Sequence, residues 1–263
     1  DLKINNKNYS FKTTLIGDIQ IKNLMFAIIA AYLSGLKIDN ILKSINKIKP
    51  VDGRFEKVGN LKNKAKVIID YAHTPHALKT LLINIKKDFP LSKINLIFGC
   101  GGNRDKGKRP MMGKVARNYC DGIYLTDDNP RLESPKLIRN QIKKGLKKKK
   151  FFEIPSRVKA INTAIKKLRS GDILIVAGKG HENYQEYKKQ IKFSDKIEIL
   201  NAIKKKNKIL SKSIKTNILN EIFGYNIINK KKTLSSASIN SKSINKNSIF
   251  FGIKGKKFDG NKF

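Results

Sequence analysis

The sequence predicts an α/β fold, a doubly wound and mostly parallel sheet, and three observations point to it. Between residues 51 and 209 strand-like and helix-like runs alternate, the strand-like runs are continuously apolar, and turns rich in glycine, aspartate and proline follow them. Apolar strands separated by helices need cover on both faces, as in a parallel sheet built from βαβ units.

Taken in order, residues 9–16 form a short polar–apolar run and 21–33 carry apolar side chains at helical spacing, ended at Gly35. A second helix is expected over 38–48, closed by Pro50. The central series starts with a buried strand at 67–70 and a helix at 75–87. It continues with a strand at 94–98, a helix at 108–119, a strand at 122–126 and a helix at 135–146. A helix at 156–168, a strand at 173–177 and a helix at 195–204 complete it. A lysine- and serine-rich stretch at 204–213 reads as a linker. Beyond it, a helix at 214–223 ends at Gly224, and short strands at 236–239 and 248–251 precede turns at Gly252 and Gly255. The expected organisation is a partial domain over 1–50, a complete domain over 51–209 and the start of another over 210–263. The chain begins at Asp1 without methionine and stops shortly after Asn261, so a piece of a longer protein is expected.

The net charge of +37 and pI near 10.2 would ordinarily point to a polyanion. Only eight of the 57 basic residues are arginine, however, and the lysines spread over the whole length alongside abundant Asn and Ile. That pattern is compositional drift, and no nucleic-acid partner is expected. Arg54, Arg104, Arg109 and Arg131 instead fall inside Gly- and Asp-rich motifs, where bidentate recognition of phosphate or carboxylate is possible. Two cysteines without CxxC spacing argue for a reducing, cytoplasmic setting and against structural zinc. The apolar run at 24–33 is too short to span a bilayer, so no membrane insertion is expected.

The motifs lie at the carboxyl ends of the expected strands, where open α/β sheets hold ligands. Thr126-Asp127-Asp128-Asn129-Pro130-Arg131 places two carboxylates, an amide and an arginine on a turn forced by Pro130. An arginine grips a carboxylate with two parallel hydrogen bonds and an acid meets an ammonium, so the set suits a zwitterion such as an amino acid. The same residues equally fit a polar turn in which Asn129 and Asp128 cap the backbone. Asp70-Tyr71-Ala72-His73-Thr74-Pro75 ends an earlier strand; Asp70 could hold a ribose hydroxyl or a metal-bound water, and His73 could face a nucleotide or simply cap its helix. The loop 99–110 combines glycines with Arg104, Lys106 and Arg109, fitting an anion or a basic surface turn. Ala177-Gly178-Lys179-Gly180-His181-Glu182 brings Glu182 to the same edge as a partner for an ammonium. Neither phosphate-loop nor dinucleotide-binding glycine spacing occurs among these loops.

In this order, and with Gly53-Arg54-Phe55-Glu56 before them, the motifs resemble the C-terminal domain of the Mur ligases, over residues 11 to about 205. Within the family the Asp-Asn-Pro-Arg version is similar to the members that add meso-diaminopimelate to UDP-N-acetylmuramoyl-L-alanyl-D-glutamate. The resemblance implies an ATP- and Mg2+-dependent amide ligase, monomeric and cytoplasmic, serving peptidoglycan synthesis. It implies that Arg104, Asp128, Asn129, Arg131, Gly178 and Glu182 contact diaminopimelate, and that Asn23, Arg54, Asp70 and His73 face ATP. ATP would phosphorylate the D-glutamyl γ-carboxylate and the diamino acid would displace phosphate, with the phosphate loop and most magnesium ligands lying upstream of Asp1. Asn103 stands where the family usually has an acid, which puts a local salt bridge in question. Asn240-Ser241-Lys242, the 248–255 segment and Phe258-Asp259-Gly260 resemble the N-terminal domain of a second family member, the D-alanyl-D-alanine-adding ligase. A fused pair of ligases is the expectation there. A lysine-adding or folylpolyglutamate-type ligase, or a basic polyanion-binding module, is the alternative.

Overall fold

Five parallel strands and one antiparallel edge strand organise the protein. The computed structural model describes residues 2–212 apart from 5, 14 and 16, together with 221, 236–238 and 248–250. Strands β3 (Glu56–Lys57), β4 (Lys66–Asp70), β5 (Ile94–Phe98), β6 (Gly122–Leu125), β7 (Phe152–Glu153) and β8 (Ile173–Ala177) make one sheet in the order β3-β4-β8-β5-β6-β7. Pairing is parallel except between β3 and β4. The central strands send alternate residues to opposite faces, and both faces are buried. Ile68, Leu96, Ile123 and Ile175 enter the core beneath helices α3 (Pro75–Asp88), α4 (Lys108–Tyr119) and α5 (Pro135–Leu146). Ile69, Ile97, Tyr124 and Val176 enter the core beneath α6 (Arg157–Lys167) and α7 (Asp195–Lys212). This is the doubly wound, mostly parallel sheet expected from the alternation.

Local chemistry sets the helix starts. Thr74 accepts the Ala77 amide at 3.2 Å while Pro75 occupies the first turn, and Leu78, Leu81, Leu82 and Ile85 then bury at helical spacing. Helices α4 and α5 approach through glycine. A Cβ on Gly145 would stand 1.9 Å from the Pro110 carbonyl oxygen, and one on Gly113 2.2 Å from that of Ile142.

The stretch 204–213, expected as a linker, is helical to Lys212, past the 209 boundary. Ala202, Ile203 and Leu210 bury along α7, and the Lys206 ammonium donates to the carbonyls of Lys166 and Leu168. Packing on α6 therefore overrides a composition that looks like a linker.

Before the sheet, β1 (Leu2–Ile4) and β2 (Lys7–Tyr9) form an antiparallel hairpin, followed by α1 (Asp18–Leu33) and α2 (Ile38–Ile45) around Leu2, Leu24, Ile28 and Ile45. The second helix stops at Ile45 rather than 48. Lys47 and Ile48 donate three residues back, to Ser44 and Ile45, in the tighter turn that leads to Pro50. The side-chain amide of Gln20 donates to the Arg54 carbonyl at 2.9 Å, tying α1 to the loop before β3. A hairpin of β9 (Tyr184–Glu186) and β10 (Gln190–Lys192) precedes α7. Strands β11 (Ser236–Ser238) and β12 (Ser248–Phe250) pair in parallel. The helix expected at 214–223, Glu221 excepted, and Asn240, Ser241, Lys242 and Asp259 lie outside the described residues.

Candidate functional site

The loops after β4, β5, β6 and β8 all emerge at one edge of the sheet, because all four strands run parallel. After β6, the Thr126 hydroxyl donates to the Pro155 carbonyl at 3.0 Å and the Asp127 amide to the same oxygen at 3.1 Å. Asp127 is committed to the scaffold. Its carboxylate takes the Arg139 guanidinium and the Tyr187 hydroxyl (3.1 Å), and burial raises its pKa above the usual carboxylate value. The next residues turn to the site. Asn129 is 3% exposed and works as a junction: its oxygen accepts the Lys179 ammonium at 2.8 Å and the Glu186 amide at 2.9 Å, and its amide donates to Glu182 Oε2 at 2.9 Å. Gln185 donates to the Asp128 carbonyl at 2.8 Å. Arg131 sits at φ 54°, its Nε 3.0 Å from Glu186 Oε2 and an Nη donating to the Gly102 carbonyl at 2.9 Å. These bonds orient the guanidinium and leave the remainder of its fork for a ligand.

The loop 99–110 leans on the same turn, with the Gly102 amide donating to the Asn129 carbonyl at 2.9 Å. A Cβ on Gly102 would come within 1.8 Å of the Pro130 carbonyl oxygen, so only glycine permits this approach. Arg109 differs from the reading of it as an anion ligand. Its guanidinium is fully buried, bidentate on Glu133 at 2.8 and 3.0 Å, and it also donates to Gln141 and the Gly101 carbonyl. That pairing holds the Glu133 carboxyl down to about 2. Asn103, at φ 52°, accepts the Leu132 amide at 3.2 Å, so its side chain caps the neighbouring turn. Arg104 lies exposed beside this edge.

Gly178, at φ 110°, lies under Asp128; a Cβ there would fall 2.8 Å from Asp128 Oδ2. Asp128, Asn129, Arg131, Gly178 and Glu182 are thus brought together at one edge, with Arg104 on its rim. Two neighbours were not singled out from the sequence. The Lys179 ammonium has no exposed surface and is held by Asn129, Glu182 (2.9 Å) and Asp128 (4.0 Å), and Glu186 braces Arg131. Lysine between two glycines looks solvated in a chain this basic; its burial depends on Asn129 and Asp128 arriving from the loop after β6 as well as on Glu182 three residues on.

Asn23, Arg54, Asp70 and His73 line a second space, a cleft of about 500 Å³ between α1 and the loops after β4 and before β3. The Arg54 guanidinium lies 4.4 Å over the Tyr71 ring, whose edge meets His73 at 4.7 Å. A cation and two rings form a surface suited to a nucleotide. Asp70 differs from the expected ribose or metal ligand in its commitments: its oxygens accept the amides of Phe55 (2.9 Å) and Ala72 (2.7 Å). Burial raises its pKa against those bonds. Among the described residues no group of three or more His, Cys, Asp or Glu could hold a metal ion. Among them, too, no helix is long and apolar enough to cross a membrane.

Comparison with known proteins supplies the context. Residues 53–180 match the family described as Mur ligase, glutamate ligase domain. The chain is 45% identical over 186 residues to the UDP-N-acetylmuramoyl-L-alanyl-D-glutamate--2,6-diaminopimelate ligase of Rickettsia typhi, covering 70% of this chain and 37% of that protein. It is 43% identical over 185 residues to the same-named ligase of Fusobacterium nucleatum, covering 70% and 38%. A solved structure of a ligase of that name superposes with TM-score 0.58 at 34% identity, over 75% of this chain and 40% of that one. A UDP-N-acetylmuramate-alanine ligase from Thermotoga maritima shares the fold, with TM-score 0.52 at 20% identity over 79% and 41%. The chain therefore spans under half the length of the relatives it matches.

Proposed function

We propose, from the match of residues 53–180 to the Mur ligase, glutamate ligase domain family, that this chain is the amino-acid-positioning part of an ATP-dependent ligase that adds meso-diaminopimelate to UDP-N-acetylmuramoyl-L-alanyl-D-glutamate. The observation that carries this reading is the braced arginine. Arg131 is fixed by Glu186 and the Gly102 carbonyl beside Asp128 and Glu182, so a guanidinium and two carboxylates share one sheet edge. A diamino acid with a carboxylate at each end offers such a pair of charges at the end remote from the reacting amine; lysine offers only an ammonium there. Arg131 receives the distal carboxylate, Asp128 and Glu182 the distal ammonium, and Arg104 adds positive charge at the rim. Arg54, Tyr71 and His73 would hold part of ATP in the cleft, and ATP supplies the phosphoryl group that activates the γ-carboxylate. The contribution of this domain is placement of the attacking amine rather than proton transfer. We also place the protein in the cytoplasm as a monomer, with residues 210–263 as the start of a fused D-alanyl-D-alanine-adding ligase. Reading the surrounding gene for a second phosphate loop tests the fusion.

The main test is Arg131→Ala in the complete ligase. Transition-state binding of diaminopimelate should weaken by about 2–5 kcal/mol, the cost of removing one partner of a buried charge pair, with the Michaelis constant for ATP unchanged. Unaltered kinetics with diaminopimelate would refute the assignment.

A further inference from the structure

Lys179 is an ammonium placed beneath the carboxylates that the proposed substrate needs. It is reached through two glycines at positive φ, Gly178 (110°) and Gly180 (56°), which turn the intervening side chain inward. Its Nζ has no exposed surface and sits 2.9 Å from Glu182, 4.0 Å from Asp128 and 2.8 Å from the Asn129 oxygen, with the Tyr184 ring 5.4 Å away. A buried ammonium is tolerated only with opposite charge and hydrogen bonds around it. Here two carboxylates share one ammonium, so the cluster presents one surplus negative charge to the edge. Arg131 beside it is already matched by Glu186.

We propose that Lys179 sets the charge this pocket offers, and so selects a substrate end bearing both an ammonium and a carboxylate over one bearing an ammonium alone. The inference rests on the diaminopimelate reading above. With Lys179 in place, one surplus negative charge meets the ammonium and the free part of the Arg131 fork meets the carboxylate. Without it, two uncompensated carboxylates favour a lone cation and repel the carboxylate of a zwitterionic end. Selectivity of this kind comes as much from the unfavourable charge as from the favourable one.

The experiment compares meso-diaminopimelate and L-lysine as substrates of the complete ligase, wild type and Lys179→Met. The ratio of kcat/KM for diaminopimelate over lysine should fall by about tenfold or more, through KM for the amino acid, while KM for ATP stays unchanged. A parallel loss on both substrates, with the ratio intact, overturns the inference and leaves Lys179 a purely structural residue. Should Lys179→Met fail to fold, Glu182→Gln removes a negative charge from the same cluster and must move the ratio the other way; an unchanged or lowered ratio overturns the inference. Wild-type enzyme that does not use diaminopimelate defeats the functional reading itself, which separates the two failures.

Discussion

Single residues in this edge divide into those proposed to hold a ligand and those that hold the holders. Arg109 and Arg131 look alike in sequence, each an arginine in a glycine- or aspartate-rich turn. The difference is set by Glu133, which lies far enough along the chain that no local pattern links it to Arg109. The pair makes a prediction about pH. The Glu133 carboxyl is depressed from 4.5 to about 2, chiefly by its hydrogen bonds with Arg109. A depressed carboxylate stabilises the fold fully above its unfolded value, and that contribution is lost as pH falls from 4.5 through about 2. Glu133→Gln should therefore lower the urea midpoint at neutral pH and narrow its gap to wild type as pH falls through that window. A gap of constant size would show that the ion pair is not linked to folding. Lys179 was hidden for a related reason: only Glu182 is a sequence neighbour, while Asn129 and Asp128 reach it from the loop after β6.

Elements with internal periodicity were legible, and those defined by a partner were not. Strands β4, β5, β6 and β8 read from apolar runs within a residue of their observed limits, and α3 and α5 from their leading prolines and apolar spacing. The two-residue strands β3 and β7 and the β9–β10 hairpin carry no such pattern, because pairing alone makes them strands. The same holds for the last turns of α7, whose helical state is decided by contact with α6. The α4–α5 contact yields a prediction at this scale. Gly145→Ala must push the helices apart, since its methyl would meet the Pro110 carbonyl oxygen at 1.9 Å. The expected loss is about 1–3 kcal/mol of stability, the usual cost of overpacking, read from urea denaturation. A variant as stable as wild type would mean that the helix pair slides freely.

At the scale of the whole molecule, the proposed function leaves recognition to this domain and phosphoryl chemistry to other parts of the complete ligase. No Gly-x-x-x-x-Gly-Lys-Ser/Thr loop occurs in the 263 residues, and the described residues include no metal-binding cluster. These 263 residues alone should show no ligase turnover with ATP, diaminopimelate and the nucleotide substrate, assayed by phosphate release; measurable turnover would sink that expectation. The cleft proposed for a nucleotide and the edge proposed for an amino acid nonetheless meet through backbone. Gly53, next to Arg54, lies so close to Gly180 and His181 that a Cβ on it would stand 2.2 Å from the His181 nitrogen. Backbone meets backbone at that junction, with the Tyr71 side chain packed against Gly180, so a shift in the loop before β3 is passed directly to the loop after β8. Their sequences are therefore not free to drift apart: a substitution that shifts residue 53 is felt at residue 180, and if the two spaces hold the ligands proposed for them, tuning one disturbs the other.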